Sequence, residues 1–453
     1  MGERIAIVGA GVSGLAAAWA LTRHPGQYDV QVYERGPTVG GNAQTADFPQ
    51  KDGGTAPADI AVTAFIPSVY QNYVELLHRL GIETVDTRFS YAVQYGDEVY
   101  AHDTDTPLRQ RLAGDIARFR RMLRVIGRLN VLNSRPSLTL AASNPFNYLT
   151  MRRALDVWGI SQEFRYKLLK PLFVNFVLTS GVFEMPASMF VRYMDFFDIE
   201  RSTPMVTWHG GTRAVYRALT RDFTDRIRTD CAVTGVTRRT DGVLVEAAGT
   251  TQRFDQVIFA CNANHALALL RPPSARERRL LGAVRYDAGL HREAVVHTDD
   301  SLLPDDALRI SGSRSTFVRQ YGDLPDNYEV TYIMHNQQPW GDGAASPCLV
   351  TYNAQRPPAP EKTLGRHRFQ HVMHDLRHTV ALHPLLPLLQ GRRRTWYCGA
   401  HMTINSQEHA FLSGLAVARQ LGADYPFPEN REATRWFNFY GRMCLGARFR
   451  RVR

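Results

Sequence analysis

The residues best placed to do chemistry stand near the start of the chain. Gly9, Gly11 and Gly14 occupy a GxGxxG spacing directly after an apolar run over residues 4–8, and Glu34 lies twenty residues further on. Gly9 allows a tight turn, Gly11 lets backbone amides approach a pyrophosphate, and Gly14 lets a helix pack closely on a strand. Ser13 sits in the same turn. The first turn of that helix presents unpaired N–H groups to phosphate charge, and the Glu34 carboxylate accepts hydrogen bonds from ribose hydroxyls. Arg35 follows, and then a second glycine pair, Gly40-Gly41-Asn42, where backbone again passes close to phosphate. A purely nicotinamide-binding unit has no need of that second pair, so the dinucleotide expected here is FAD.

These residues demand a βαβ unit, and the pattern predicts one: a strand over 4–8, an Ala-rich helix over 15–23, and a strand over 29–33. A helix over 67–80 ends at Gly81, and a hairpin over 85–101 turns at Tyr95-Gly96-Asp97. A basic helix is predicted over 108–130. It is either a solvated face or a docking surface for anionic lipid or an acidic carrier. The segment 145–200 is aromatic, and at least two of Phe173, Phe176, Phe183, Phe190, Tyr193, Phe196 and Phe197 are candidates to line an apolar tunnel. A helix over 212–223 precedes strands over 231–237, 243–247 and 254–260. There Val233 offers a backbone contact to the adenine side. Strands within 285–385 form an antiparallel sheet roofing a pocket. A strand over 395–400 enters the Gly399 turn, and the helix over 407–418 carries Gly414 on its small-residue side. A helix N-terminus aimed at the pyrimidine end of a flavin stabilises negative charge on the reduced ring.

At 453 residues the chain suggests two domains. The fold class expected is α/β: a Rossmann-type FAD-binding domain assembled from discontinuous segments (1–65, 205–285, 390–425). Beside it stands an α+β substrate domain (66–204, 286–389) with a mixed or antiparallel sheet and a helical insertion. A basic aromatic tail, 426–453, is a packed cap, a disordered end or a membrane-surface element. Five scattered cysteines without a CxxC argue against a disulfide framework or zinc, so no metal is expected and the setting is a reducing cytoplasm. No run of eighteen apolar residues is present, and the first strand begins too early to leave room for a signal peptide. The net charge of +11 is almost all arginine, for only four lysines occur. No nucleic-acid motif accompanies that charge, so a peripheral membrane contact or an acidic partner is the expectation.

Taken together, Gly9-x-Gly11-x-x-Gly14 with Glu34, the Gly40-Gly41-Asn42 loop, and Cys398-Gly399-Ala400 with the helix of Gly414 resemble the amine-oxidase-type flavoproteins. That superfamily includes monoamine oxidases and carotenoid desaturases. The resemblance is closer to a bacterial group of NAD/FAD-binding oxidoreductases associated with fatty-acyl modification. It rests on Gly41 to Thr45, Ala58-Asp59 through Asn72, Trp208-His209-Gly210-Gly211, and Tyr286 through Pro304. The resemblance implies non-covalent FAD, with Gly399, His401, Gln407, Glu408 and His409 near the ring. His401 or His409 then serves as acid or base. Where the family has Asp-Thr-Gly and His-Glu-Asp-Gly, this chain has Asp59-Ile60-Ala61 and Gln407-Glu408-His409-Ala410. None of the four lysines matches the monoamine-oxidase lysine near flavin N5. The implied reaction is hydride removal from an activated C–H of a hydrophobic molecule or acyl chain, with dioxygen or another acceptor reoxidising the flavin. A redox-neutral double-bond isomerisation is the alternative, and an amine oxidase or a non-catalytic flavoprotein a lesser one.

Overall fold

The structure is a computed structural model that describes residues 2–446 except 135–136, 178, 288–292, 304–313 and 323–326. Glu3–Val8 is the central strand of a five-stranded, wholly parallel sheet. The order is Thr395–Tyr397, Gln256–Phe259, Glu3–Val8, Tyr28–Tyr33, Ile227–Arg228. Ile5, Ala6 and Ile7 are fully buried, as a strand covered on both faces requires. Its five strands come from both ends and the middle of the chain. A smaller four-stranded sheet (Thr250–Phe254, Val243–Ala247, Val233–Arg238, Leu270–Arg271) lies beside it in sequence.

The single strand expected over 254–260 is two. Phe254 closes the Val243–Phe254 meander, whereas Gln256–Phe259 enters the parallel sheet. Asp255 marks the change of sheet, and its carboxylate accepts the Arg4 amide at 2.8 Å. The expected hairpin is shorter than its sequence span. Tyr91–Tyr95 pairs with Glu98–Ala101, while Thr84–Phe89 pairs with the distant Thr203–Trp208. The basic helix is broken at Leu112 into Pro107–Arg111 and Ala113–Asn130.

A seven-stranded mixed sheet provides the roof expected from 285–385. Its order is Thr363–Arg368, Glu293–His297, Leu349–Tyr352, Tyr328–Ile333, Thr316–Gln320, Tyr91–Tyr95, Glu98–Ala101. Every pairing is antiparallel except that of Tyr91–Tyr95 with Thr316–Gln320. The apolar sides of Ala113–Asn130, Met151–Val157, Lys170–Val177 and Ala187–Met194 share a core with this sheet. A separate core surrounds the parallel sheet. It includes Tyr73, Leu76 and Leu77 of the Gln71–Leu80 helix, and Phe437, Cys444 and Leu445 of the Arg431–Leu445 helix. The tail therefore packs as a helix up to Leu445, and Arg448, Phe449 and the later arginines lie outside the described residues. No described helix is long and apolar enough to cross a membrane.

The closest helix–helix contact joins the two ends of the chain. A Cβ built on Gly414 would lie 2.0 Å from the Ser13 carbonyl oxygen, so the Gln407–Leu421 helix meets the Val12–Thr22 helix backbone to backbone. Gly414→Ala is expected to destabilise the protein by about 1–3 kcal/mol through overpacking, against the modest gain that alanine brings in an unconstrained helix. A denaturant titration measures this, and an unchanged or higher midpoint would refute the contact.

Candidate active site

The site is built where two glycine segments meet. The Val12–Thr22 helix starts at Gly11 with no side-chain cap, leaving its first amides without an internal partner. Gly40 donates its amide to the Ala10 carbonyl at 2.8 Å, which brings the second glycine pair alongside the first. Gly41 has φ of +63°, and a Cβ there would lie 3.1 Å from the Gly11 Cα. Only glycine fits so close a backbone crossing.

Glu34 ends the second strand. Its carboxylate accepts the Ala10 amide and the Gly36 amide, each at 2.8 Å. Two of its roughly four acceptor positions are thereby used to hold the loop, and the others remain for a ribose. Arg35, Asn42 and Val233 line the same cavity, as do Gly9, Gly11, Ser13, Gly40 and Gly41. Gly14 and Gly414, which belong to the cofactor motifs, do not themselves line the cavity. Each is a packing glycine instead, since a Cβ on Gly14 would stand 2.0 Å from the Gly9 carbonyl oxygen.

The far end of the cavity is formed by the Gly399 turn and the N-terminus of the Gln407–Leu421 helix. Gly399 has φ of +123° and donates its amide to Ser413 Oγ at 2.8 Å. Gln407 donates from Nε2 to the Tyr216 hydroxyl. Ser406 caps the helix by accepting the His409 amide, and His409 Nδ1 lies 2.6 Å from the same hydroxyl. Glu408 has a structural role as well. Its Oε1 accepts the backbone and side-chain N–H of Asn72, each at 3.0 Å, and its Oε2 accepts the Tyr73 amide at 2.7 Å. The carboxylate thus caps the Gln71–Leu80 helix, which has no side-chain cap of its own, and Glu408 also lines the cavity. Burial pushes it up to about 7, and the hydrogen bonds from Asn72 and Tyr73 hold it back down.

Between these ends the cavity has a volume of about 1720 Å³. That exceeds the roughly 300–1,000 Å³ of an ordinary ligand pocket, leaving space beyond a dinucleotide. Phe176 stacks on Phe197 with centroids 3.6 Å apart and meets Phe89 at 4.6 Å. Of the seven aromatics expected as tunnel candidates, Phe176, Tyr193, Phe196 and Phe197 line the cavity. Phe173, Phe183 and Phe190 are spent in the second core. Among the described residues no lysine lines the cavity. Lys167 pairs with Glu98 and Glu163, and Lys362 with Asp299.

A family model described as flavin containing amine oxidoreductase matches residues 12–385. The chain belongs to this family. It is an FAD-dependent oxidoreductase, as the terminal motifs imply. Among solved structures the fold is similar to a CLA-producing fatty acid isomerase from P. acnes (TM-score 0.68, 17% identity, 93% of this chain and 99% of that one). It is also similar to a putrescine oxidase (TM-score 0.64, 16% identity, 93% and 99%). A third likeness is to cyclohexylamine oxidase from Brevibacterium oxydans IH-35A (TM-score 0.64, 15% identity, 93% and 100%). No curated protein sequence matches significantly. The residues present fit FAD: uncapped amides and crossed glycines suit the pyrophosphate, Glu34 a ribose, and the Gly399 turn the ring.

Sequence reasoning singled out His401 and His409 in this flavoprotein and missed their neighbours. Both line the cavity, but so do His371, His374, His378 and His383, all buried. Among the described residues, Nε2 of His371 and of His401 has no hydrogen-bond partner. His383 Nε2 stands 2.7 Å from the Met402 carbonyl oxygen. The available signal was the run of five histidines within 367–383. Burial holds these rings below the usual histidine range: His371 and His401 at about 4, His374 and His409 at about 3, with His378 and His383 also lowered. They are neutral imidazoles at neutral pH.

Two outcomes follow from this geometry. Glu34→Ala should weaken FAD binding roughly 10- to 100-fold, the worth of hydrogen bonds to a charged group. A titration of the apoprotein with FAD measures it, and unchanged affinity would refute the ribose contact. The depressed histidines make the unfolded chain bind more protons below its histidine value of 6.5, so their contribution is complete above that pH and lost as pH falls toward 4. Asp59 and Glu408, raised to about 6 and 7, act with the opposite sign but are two against six. The melting temperature should therefore drop steeply from pH 6.5 to 4, and a flat profile would contradict neutral burial of the cluster.

Proposed function

We propose that this flavoprotein removes a hydride from an activated C–H of a hydrophobic small molecule or acyl chain, in a desaturation or oxidation. The observation that carries this reading is the aromatic chamber, continuous with the dinucleotide cradle and, among the described residues, free of lysine. Bound FAD supplies the two-electron acceptor, and dioxygen or another oxidant regenerates it. The chain's own residues do the rest. Phe89, Phe176 and Phe197 exclude water and orient an apolar substrate by packing. The proton that leaves with the hydride goes to a neutral imidazole lining the cavity, for which His401, with Nε2 unpartnered among the described residues, is the candidate. The FAD is held without a covalent bond. Cys398 in the adjoining turn is fully buried, and burial pushes its thiol up to about 12, which leaves it a poor nucleophile.

A redox-neutral double-bond isomerisation is the second reading, favoured by the likeness in fold to a fatty acid isomerase. Anaerobic mixing with a panel of amines, fatty acyl chains and polyenes tests both. Net loss of visible flavin absorbance with an acyl chain or polyene, and one peroxide or reduced acceptor per product in air, is the expected result. A product of unchanged mass without peroxide would replace oxidation by isomerisation. Bleaching by amines alone would overturn both.

A further inference from the structure

Beside the chamber, one stretch of surface carries exposed basic and apolar side chains. Residues 116–155 contain no Asp or Glu. Within them, Arg118 and Arg120 are taken up by ion pairs with Asp115, Asp198 and Glu200. Arg121, Arg124 and Arg128 are exposed and, among the described residues, unpaired. They share the outer face of the Ala113–Asn130 helix with exposed Val125 and Leu129. Asp195 lies near Gly127 on the neighbouring element and is paired with Arg192. The same chain then passes through Val131, 52% exposed, to exposed Leu138 and Tyr148, which also line the cavity. Arg435 ties this segment to the Arg431–Leu445 helix by donating to the Ser134 carbonyl at 3.1 Å. Exposed Leu388, a further apolar residue of the rim, lines the cavity from the His383–Leu389 turn.

We propose that this rim is a docking surface for an anionic lipid bilayer, with Arg121, Arg124 and Arg128 against headgroups and Val131, Leu138 and Tyr148 in the interface. Three unpaired cations next to exposed apolar side chains complement an anionic interface on both counts. Continuity with the chamber gives the contact a purpose, since a lipophilic substrate reaches the cavity without crossing water. That purpose rests on the hydride-transfer reading, but the contact is measurable without turnover.

The test is cosedimentation of the FAD-loaded protein with phosphatidylcholine vesicles, with and without phosphatidylglycerol. Binding should require phosphatidylglycerol and weaken as salt rises. The triple variant Arg121→Glu, Arg124→Glu, Arg128→Glu should lose on the order of a hundredfold in affinity, about fivefold per arginine removed. Val131→Asp with Leu138→Asp should remove the binding that persists at high salt. Melting temperature and FAD content verify that both variants fold. Equal binding to neutral vesicles, no binding by the parent protein, or an unaffected triple variant would overturn the proposal. So would salt-sensitive binding to an acidic carrier domain in place of vesicles. A negative vesicle result leaves the hydride reading untouched, because flavin bleaching needs no bilayer.

Discussion

The contact on which the molecule depends is the backbone crossing at Ser13 and Gly414. It joins the first helix of the chain to the Gln407–Leu421 helix, about four hundred residues further on, with backbone against backbone. Everything at the ring end follows from it. Ser413, one residue before the crossing, accepts the Gly399 amide and donates to the Ala410 carbonyl at 2.7 Å. The Gly399 turn is thereby placed beside the helix N-terminus that begins at Gly11. A cofactor cradle whose halves lie at opposite ends of the sequence needs such a contact, because loop closure over that length is costly unless tight packing repays it.

Two buried carboxylates extend the same logic. Glu408 caps the Gln71–Leu80 helix, and Asp59 accepts hydrogen bonds from the Thr212 amide, Thr45 and Thr212 hydroxyls and Trp208 Nε1 at the start of the Gly211–Thr220 helix. Each is a helix cap supplied by a remote segment. A local cap orients one chain end, whereas a remote cap also fixes how two elements sit against each other. Desolvation raises both carboxyls, and the amide donors and helix dipoles compensate. The cofactor walls are held by polar contacts that must all be satisfied together.

The chamber follows a different principle. Its walls include a group of aromatic rings, and its polar groups include six histidines lowered by burial. The same burial that keeps these imidazoles neutral makes their charged form costly. A site of this composition suits a substrate bound by packing and a reaction in which one proton must be moved.

The dinucleotide half was legible in the linear chain because its requirements are local. A strand, a glycine turn, a helix and an acid at fixed spacing leave one physical solution, and Gly9, Gly11 and Glu34 stand where that solution puts them. The alternation and turns of the meander, the Gln407–Leu421 helix and the packed aromatic segment were legible for the same reason. Other features depended on partners the spacing does not reveal. Thr84–Phe89 pairs with a strand more than a hundred residues away, and the run through Asp255 divides between two sheets. Glu408 reads as a cofactor contact by position, yet its oxygens are taken by amides of a helix more than three hundred residues earlier. The 367–383 histidines look like scattered polar residues until the fold buries them around one cavity. Short-range sterics and hydrogen bonding determined the nucleotide cradle from sequence alone. Burial, which exists only once distant segments pack, decided which side chains line the cavity and in what charge state.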